Sequence, residues 1–284
     1  MMNILRADLY RFFKQNSTWI ILLVAVLLFA FLGGTIGFMT GDAPWLKRIF
    51  QQISTQLSAY SSEPSDYEQL EEVLEIVTSM KAGSIAQFIG LALSSDLMIL
   101  ITAFIAVFSS SAKRTGYIKN LYSEYPYPKF FFSQALILLF YSLILVLVAA
   151  VTMGVVSFFF FKSLPFGNPF SFALFLLMKA LLVWTFGLLV MLLCDVTRKG
   201  TSGLIIAIVY ISVGSGIIYQ MLDAVIVSVF KIDFYIEYCT PLGSMTLLTY
   251  GDTKTYLAAA IVVVIYAAVV FLEEILFVRK KDII

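Results

Sequence analysis

Histidine is absent from this 284-residue chain, and cysteine occurs only twice. The first absence removes His-based zinc sites and the side chain that most often acts as general base near neutral pH. No Ser/His/Asp or Cys/His set can be assembled from what is left. No G-x-x-x-x-G-K-[ST] stretch is present to cradle nucleotide phosphates. The chain therefore reads as no enzyme by itself, and as holding no metal or cofactor of its own. Charge is scarce too: Asp, Glu, Lys and Arg make up 13% of the residues, with a net of +1, so nothing in the balance points to nucleic acid.

What is abundant is apolar sequence. Hydrophobic residues reach 61%, against roughly half in soluble domains. Six long apolar runs stand out, at Ser17–Met39, Ser84–Ser111, Phe130–Phe161, Ser171–Cys194, Thr201–Phe230 and Thr255–Val278. About 20 helical residues cross a hydrocarbon core of roughly 30 Å. Within lipid each backbone polar group must be satisfied inside its own segment, so such runs are expected to be helices. The expectation is an all-α polytopic membrane protein, with 1–284 forming one transmembrane domain of six spans.

Basic residues flank these runs unevenly. Arg6, Arg11, Lys14, Lys113, Arg114, Lys119, Lys129, Arg198, Lys199, Arg279, Lys280 and Lys281 fall on one side. Lys47, Arg48, Lys81, Lys162, Lys231 and Lys254 fall on the other, and Lys179 lies within a run. Twelve against six puts both termini in the cytoplasm under the positive-inside rule, as an even number of spans requires. Cys194 and Cys239 then lie at opposite ends of the spans and are not expected to pair.

The segment before the first run does not look like a cleaved leader, because its apolar stretch begins late, is too long and lacks a small-residue cleavage site. Within 1–15, Leu5, Leu9, Phe12 and Phe13 recur at helical spacing among Arg6, Arg11 and Lys14. That pattern predicts a helix lying in the cytoplasmic interface, against membrane lipid.

The first outer loop, 40–83, carries two further helical patterns. Trp45, Ile49, Phe50, Ile53, Leu57 and Tyr60 share one face. A capping box at Ser65–Glu68 opens a second helix, with Leu70, Val73, Leu74, Val77 and Met80 on one side and Glu68, Glu71, Glu72 and Glu75 on the other. The pair predicts an external helical hairpin. Its seven acids against three bases make either a solvated lid or an acidic vestibule for cationic cargo.

Two ionisable residues fall inside runs. Asp96 lies about twelve residues from the outer end of its span and Lys179 about eight, or roughly 18 Å and 12 Å at 1.5 Å per residue. An isolated charge near the bilayer centre costs about 2.5–3.5 kcal/mol on insertion scales. These two are expected to pair, with Lys179 reaching outward or touching cargo as alternatives. In the fifth run Gly203, Gly214 and Gly216 predict either a kink or close helix packing, with Gln220 and Asp223 beyond. The segment 231–254, with Pro241 and Gly243, reads as a re-entrant or external helical element. The adjacent Glu273 and Glu274 read as carboxylates at the water interface, facing Arg279 and Lys280. Phe158–Phe161 and Phe170–Phe175 suit an apolar pathway or a lipid-facing surface equally.

The cytoplasmic loop 112–129 holds the most specific stretch: Gly116, Tyr117, Ile118, Lys119 and Asn120, followed by Leu121 and Tyr122 and closed by Pro126 and Pro128. Gly116–Asn120 resembles the G-x-I-K-N stretch found after the second span in the membrane subunit of type 2 ABC transporters. The resemblance extends to the N-terminal interfacial helix, the six spans and the basic tail Val278–Asp282. It departs at Lys113 and Arg114, where the family often has an acid. The long first outer loop is most like that of peptide exporters and bacteriocin-immunity permeases.

The resemblance implies a permease of the bacterial plasma membrane, acting as a dimer, most simply a homodimer. It implies a separate ATPase subunit in two copies, which supplies ATP and Mg. Gly116–Tyr122 would be the coupling loop that docks on the ATPase, and an amphiphilic substrate, above all a peptide, would be exported. A toxin-capturing immunity or sensor protein and a secondary transporter are the rival classes. The second would usually show internal repeats and more buried ionisable groups.

Overall fold

The computed structural model describes residues 2–40, 96–114, 127–161, 168–197, 200–231 and 236–281. The loop stretch Gly116–Tyr122 and the external hairpin, with Glu68, Glu71, Glu72 and Glu75, lie outside the described residues.

Among the described residues the elements are helical, with no strand. They run α1 (Met2–Lys14), α2 (Asn16–Thr40), α3 (Asp96–Arg114), α4 (Tyr127–Phe161), α5 (Pro169–Val196) and α6 (Gly200–Val209). A π turn (Tyr210–Gly214) leads into α7 (Ser215–Phe230), then a 3-10 turn (Ile236–Cys239), α8 (Pro241–Leu247) and α9 (Thr253–Lys281).

Four helical stretches are long and apolar enough to cross a membrane: Asn16–Gly37, Lys129–Phe160, Pro169–Val196 and Thr253–Leu276. Two more apolar stretches, Asp96–Phe108 and Gly203–Ser212, are shorter. The second expected span is described only from Asp96 onward. The fifth expected span is not one continuous α-helix, because the π turn interrupts it beside Gly214. An extra residue in one turn displaces the helix register and is a known cause of bending.

Helix starts follow local chemistry. Asn168 caps α5 by accepting from the Phe170 amide at 3.0 Å, with Pro169 in the first turn, where its missing N–H costs nothing. Thr240 caps α8 in the same way, accepting from the Gly243 amide at 3.1 Å ahead of Pro241.

The centre of the bundle is α5. It packs against α3, α4, α6, α8 and α9, and from Met178 to Leu188 its residues are buried almost without interruption. A helix apolar all round belongs in such a position. By contrast α2 and α9 lie on the outside, with exposed rows such as Leu23, Leu27 and Phe31, or Leu257, Val264 and Leu272. Exposed apolar rows of this length suit lipid.

Glycine permits close approaches between the helices. A Cβ on Gly33 would meet Met153 Sδ at 2.6 Å, and one on Gly187 would meet Leu138 Cδ2 at 2.8 Å. A Cβ on Gly203 would meet the backbone nitrogen of Cys194 at 2.7 Å, so α6 crosses α5 backbone to backbone. Of the two readings of the glycines in the fifth span, close packing therefore holds at Gly203 and a break in the α-helix occurs at Gly214.

Candidate functional site

Two polar clusters interrupt the apolar bundle, and each ties together separate helices. The first is built around α1. Ile4, Asp8 and Phe12 recur every four residues, and all three are buried, with Asp8 at 0% exposure. The hydroxyl of Ser133, in the first turns of α4, donates to Asp8 Oδ2 at 2.8 Å. Arg11 lies one turn on, its Nη1 3.7 Å from Asp8 Oδ1.

Arg11 then reaches α3. Its Nη2 donates to the carbonyl of Phe108 at 3.2 Å, and its guanidinium carbon stands 3.9 Å from the centre of the Phe108 ring. The side-chain amide of Gln15 donates to the Val107 carbonyl at 3.4 Å. Phe12 adds edge-on contacts to Phe104 of α3 and to Tyr141 of α4. Helix α1 thus bridges the C-terminal half of α3 and the start of α4, the two helices on either side of residues 115–126 in the chain.

The structure adds to the sequence reading of α1. Asp8, which drew no notice, is wholly buried, while Phe13 is 50% exposed. Arg11 turns inward to the bundle. A signal was present: Asp8 is the only acid in α1 and sits midway between Ile4 and Phe12. In one dimension a lone acid reads as the polar face; only Ser133 and Arg11 make its burial tolerable.

The second cluster lies further along the bundle, where the antiparallel run of α4 and α5 places the first half of α5 away from Ser133. Lys179 is 1% exposed. Its Nζ donates to the carbonyl of Met245 in α8 at 2.5 Å and stands 5.3 Å from the Phe175 ring centre. This bond is a role the sequence did not suggest: it holds a short helix whose residues Pro241–Met245 are themselves buried. Asp96 is the first described residue of α3.

Hydroxyl groups continue this cluster. Tyr210, in the π turn, is hydrogen-bonded to Tyr219 of α7, whose hydroxyl is 2.6 Å from Thr240 Oγ1. Thr240 is the cap of α8, so three hydroxyls link the broken span to the short helix. Asp223 Oδ1 accepts from the Ile236 amide at 2.8 Å, fastening the middle of α7 to the 3-10 turn. Ser244 donates to the Tyr238 carbonyl at 3.2 Å. The interruption and Asp223 were legible in sequence; Tyr210, Tyr219 and Thr240 were not, because aromatics in a span ordinarily read as packing.

Other expectations resolve individually. Glu273 is exposed, but Glu274 is buried at 4%, so the two carboxylates do not both lie at the water interface. Phe158, Phe159 and Phe170 are each at least 70% exposed and face out of the bundle, whereas Phe175 is buried against Tyr250. Among the described residues no cluster of three or more His, Cys, Asp or Glu could hold a metal ion.

No family model, no curated protein and no solved structure matches this chain.

Proposed function

We propose that this chain is the membrane subunit of an ATP-driven ABC exporter that moves an amphiphilic substrate, foremost a peptide, out of a bacterial cell. A dimer of the chain, with six spans in each copy, forms the pathway in the plasma membrane. Two copies of a separate ATPase bind its cytoplasmic side and carry ATP and Mg. The coupling loop is Gly116–Tyr122, and both termini are cytoplasmic.

Three features of sequence support this reading: the Gly116–Asn120 stretch, the uneven basic flanks, and the lack of any nucleotide-binding or catalytic set. The observation that carries it furthest is the bridge made by α1. Asp8 and Arg11 join Ser133 to Phe108, and so join the two helices between which the loop is strung. A push on that loop reaches α3 and α4 together, and both pack against α5 or its neighbours. The hydroxyl chain Tyr210–Tyr219–Thr240 and the Lys179–Met245 bond then give α8 and the interrupted span a second linked set of contacts, suited to a moving outer end.

Hydrolysis tests this directly. The purified chain alone should show no ATPase activity, and co-expression with an ATPase partner should yield a stoichiometric complex that hydrolyses ATP. Stoichiometric hydrolysis by the single chain would refute the proposal. The acidic stretch Glu68, Glu71, Glu72 and Glu75 favours a second reading, capture of a cationic toxin without transport. Protection against such a peptide that survives loss of all nucleotide hydrolysis would select it.

A further inference from the structure

We propose that the outward face of α1 is a binding site for the headgroups of anionic phospholipids. With Ile4, Asp8 and Phe12 turned into the bundle, Arg6, Tyr10, Phe13 and Lys14 occupy the opposite side at positions i, i+4, i+7 and i+8. All four are exposed. At 100° per residue they fall within one narrow stripe of the helix. The face is basic at both ends and aromatic between.

Its charge is uncompensated within α1. The only acid of the helix, Asp8, is buried beneath Ser133 and Arg11, so no carboxylate of α1 competes for Arg6 or Lys14. Arg11, which could have joined the stripe, is engaged with Asp8 and Phe108 instead. Lys129, exposed at the start of α4, adds a further cation one turn before Ser133.

The geometry holds the stripe at the level of a membrane surface. Trp19, in the first turn of α2 and 51% exposed, donates its indole N–H to the Phe13 carbonyl at 3.0 Å, with the two rings 6.4 Å apart. Trp and Tyr prefer the headgroup region, where one end of the ring is wet and the other apolar. Lys14 Nζ donates to the Tyr10 hydroxyl at 3.0 Å and stands 5.3 Å from that ring. The hydrogen bond to Tyr10 holds the ammonium above its usual range, so Lys14 stays charged. An ammonium and a guanidinium flanking two aromatic rings at that depth match a phosphodiester above and acyl chains below. Net-neutral headgroups carry their own cation and gain little from the same site.

Native mass spectrometry of the full-length protein, titrated in detergent with phosphatidylglycerol or phosphatidylcholine, tests this. The wild type should retain phosphatidylglycerol in preference to phosphatidylcholine, and moderate salt should erase the preference. Arg6→Gln or Lys14→Gln should each weaken phosphatidylglycerol binding about fivefold, and the double change about thirtyfold, at about 1 kcal/mol per basic residue near a membrane surface. Lys14→Arg should restore binding, and Lys254→Gln, at the far end of the bundle, should not affect it. Equal retention of the two lipids by the wild type overturns the proposal without any variant. So does wild-type binding by the double variant, or an equal loss in Lys254→Gln. The site does not depend on the transport function, so loss of ATPase coupling leaves it standing.

Discussion

Lys179 Nζ donates to the carbonyl oxygen of Met245, joining the buried centre of α5 to the last turn of α8. The last four carbonyls of a helix have no partner within it, and a cation there also complements the helix dipole. The short α8 is thereby closed at both ends, by Thr240 at its start and Lys179 at its finish.

Replacing Lys179 with Met should loosen α8. A hydrogen bond to a charged group contributes about 1.5–3 kcal/mol, and relief of the buried charge offsets part of its loss. Hydrogen exchange at residues 241–247 should quicken while α5 itself stays protected; unchanged exchange there would disprove the closure. Asp96→Asn combined with Lys179→Met extends the test. Recovery in the double variant assigns the ammonium to Asp96 as well, and strict additivity assigns it to Met245 alone.

Asp8 should be among the least replaceable residues of the chain. Asp8→Ala takes the carboxylate away from Arg11 and Ser133, and breaking a buried charge pair typically costs about 3–5 kcal/mol. Ser133→Ala should cost less, about 1.5–3 kcal/mol. The two effects should be non-additive in a double-mutant cycle on the melting midpoint. Limited proteolysis should cut 2–14 in Asp8→Ala but not in Tyr10→Ala, which lies on the outward face. Resistance of α1 in Asp8→Ala would remove Asp8 from the docking of this helix.

Gly203→Ala forces a methyl group against the backbone of Cys194, where no side chain can turn aside. Overpacking of this kind costs about 1–3 kcal/mol. Gly33→Ala meets the flexible Met153 side chain instead and should cost less. Equal melting midpoints for the two variants would contradict the backbone contact between α5 and α6.

If Gly116–Tyr122 docks on an ATPase, apolar anchors should carry most of the contact, since exposed charges add little. Ile118→Asp with Leu121→Asp should abolish co-purification of the ATPase while membrane insertion is unchanged. Full recovery of the complex from that variant would place the docking site elsewhere. Because α1 joins α3 to α4, Asp8→Asn should leave the complex intact yet weaken substrate-stimulated hydrolysis.

Much of the fold was legible in the sequence because the solvent is severe. Long runs with few or no charges, such as Asn16–Gly37 and Pro169–Val196, can bury their backbone in lipid only as helices, so their lengths alone specified them. Helix starts are equally local in the structure, Asn168 before Pro169 and Thr240 before Pro241 each acting within three residues. Gly203, Gly214 and Gly216 marked the fifth span as either kinked or closely packed, and only the structure assigned packing to Gly203 and the break to Gly214.

What sequence could not decide was the destination of the few polar side chains, since their partners are distant along the chain. Asp8 and Ser133 are separated by 125 residues, Arg11 and Phe108 by 97, Lys179 and Met245 by 66. Periodicity picked out Leu5, Leu9, Phe12 and Phe13 and passed over Asp8; packing of α1 across α3 and α4 buried Asp8 with Ile4 and Phe12 and left Phe13 exposed. Sequence by itself determined a helical membrane chain with a basic, aromatic first helix. Only tertiary structure decided which charges are buried, because a buried charge persists only where a distant residue meets it.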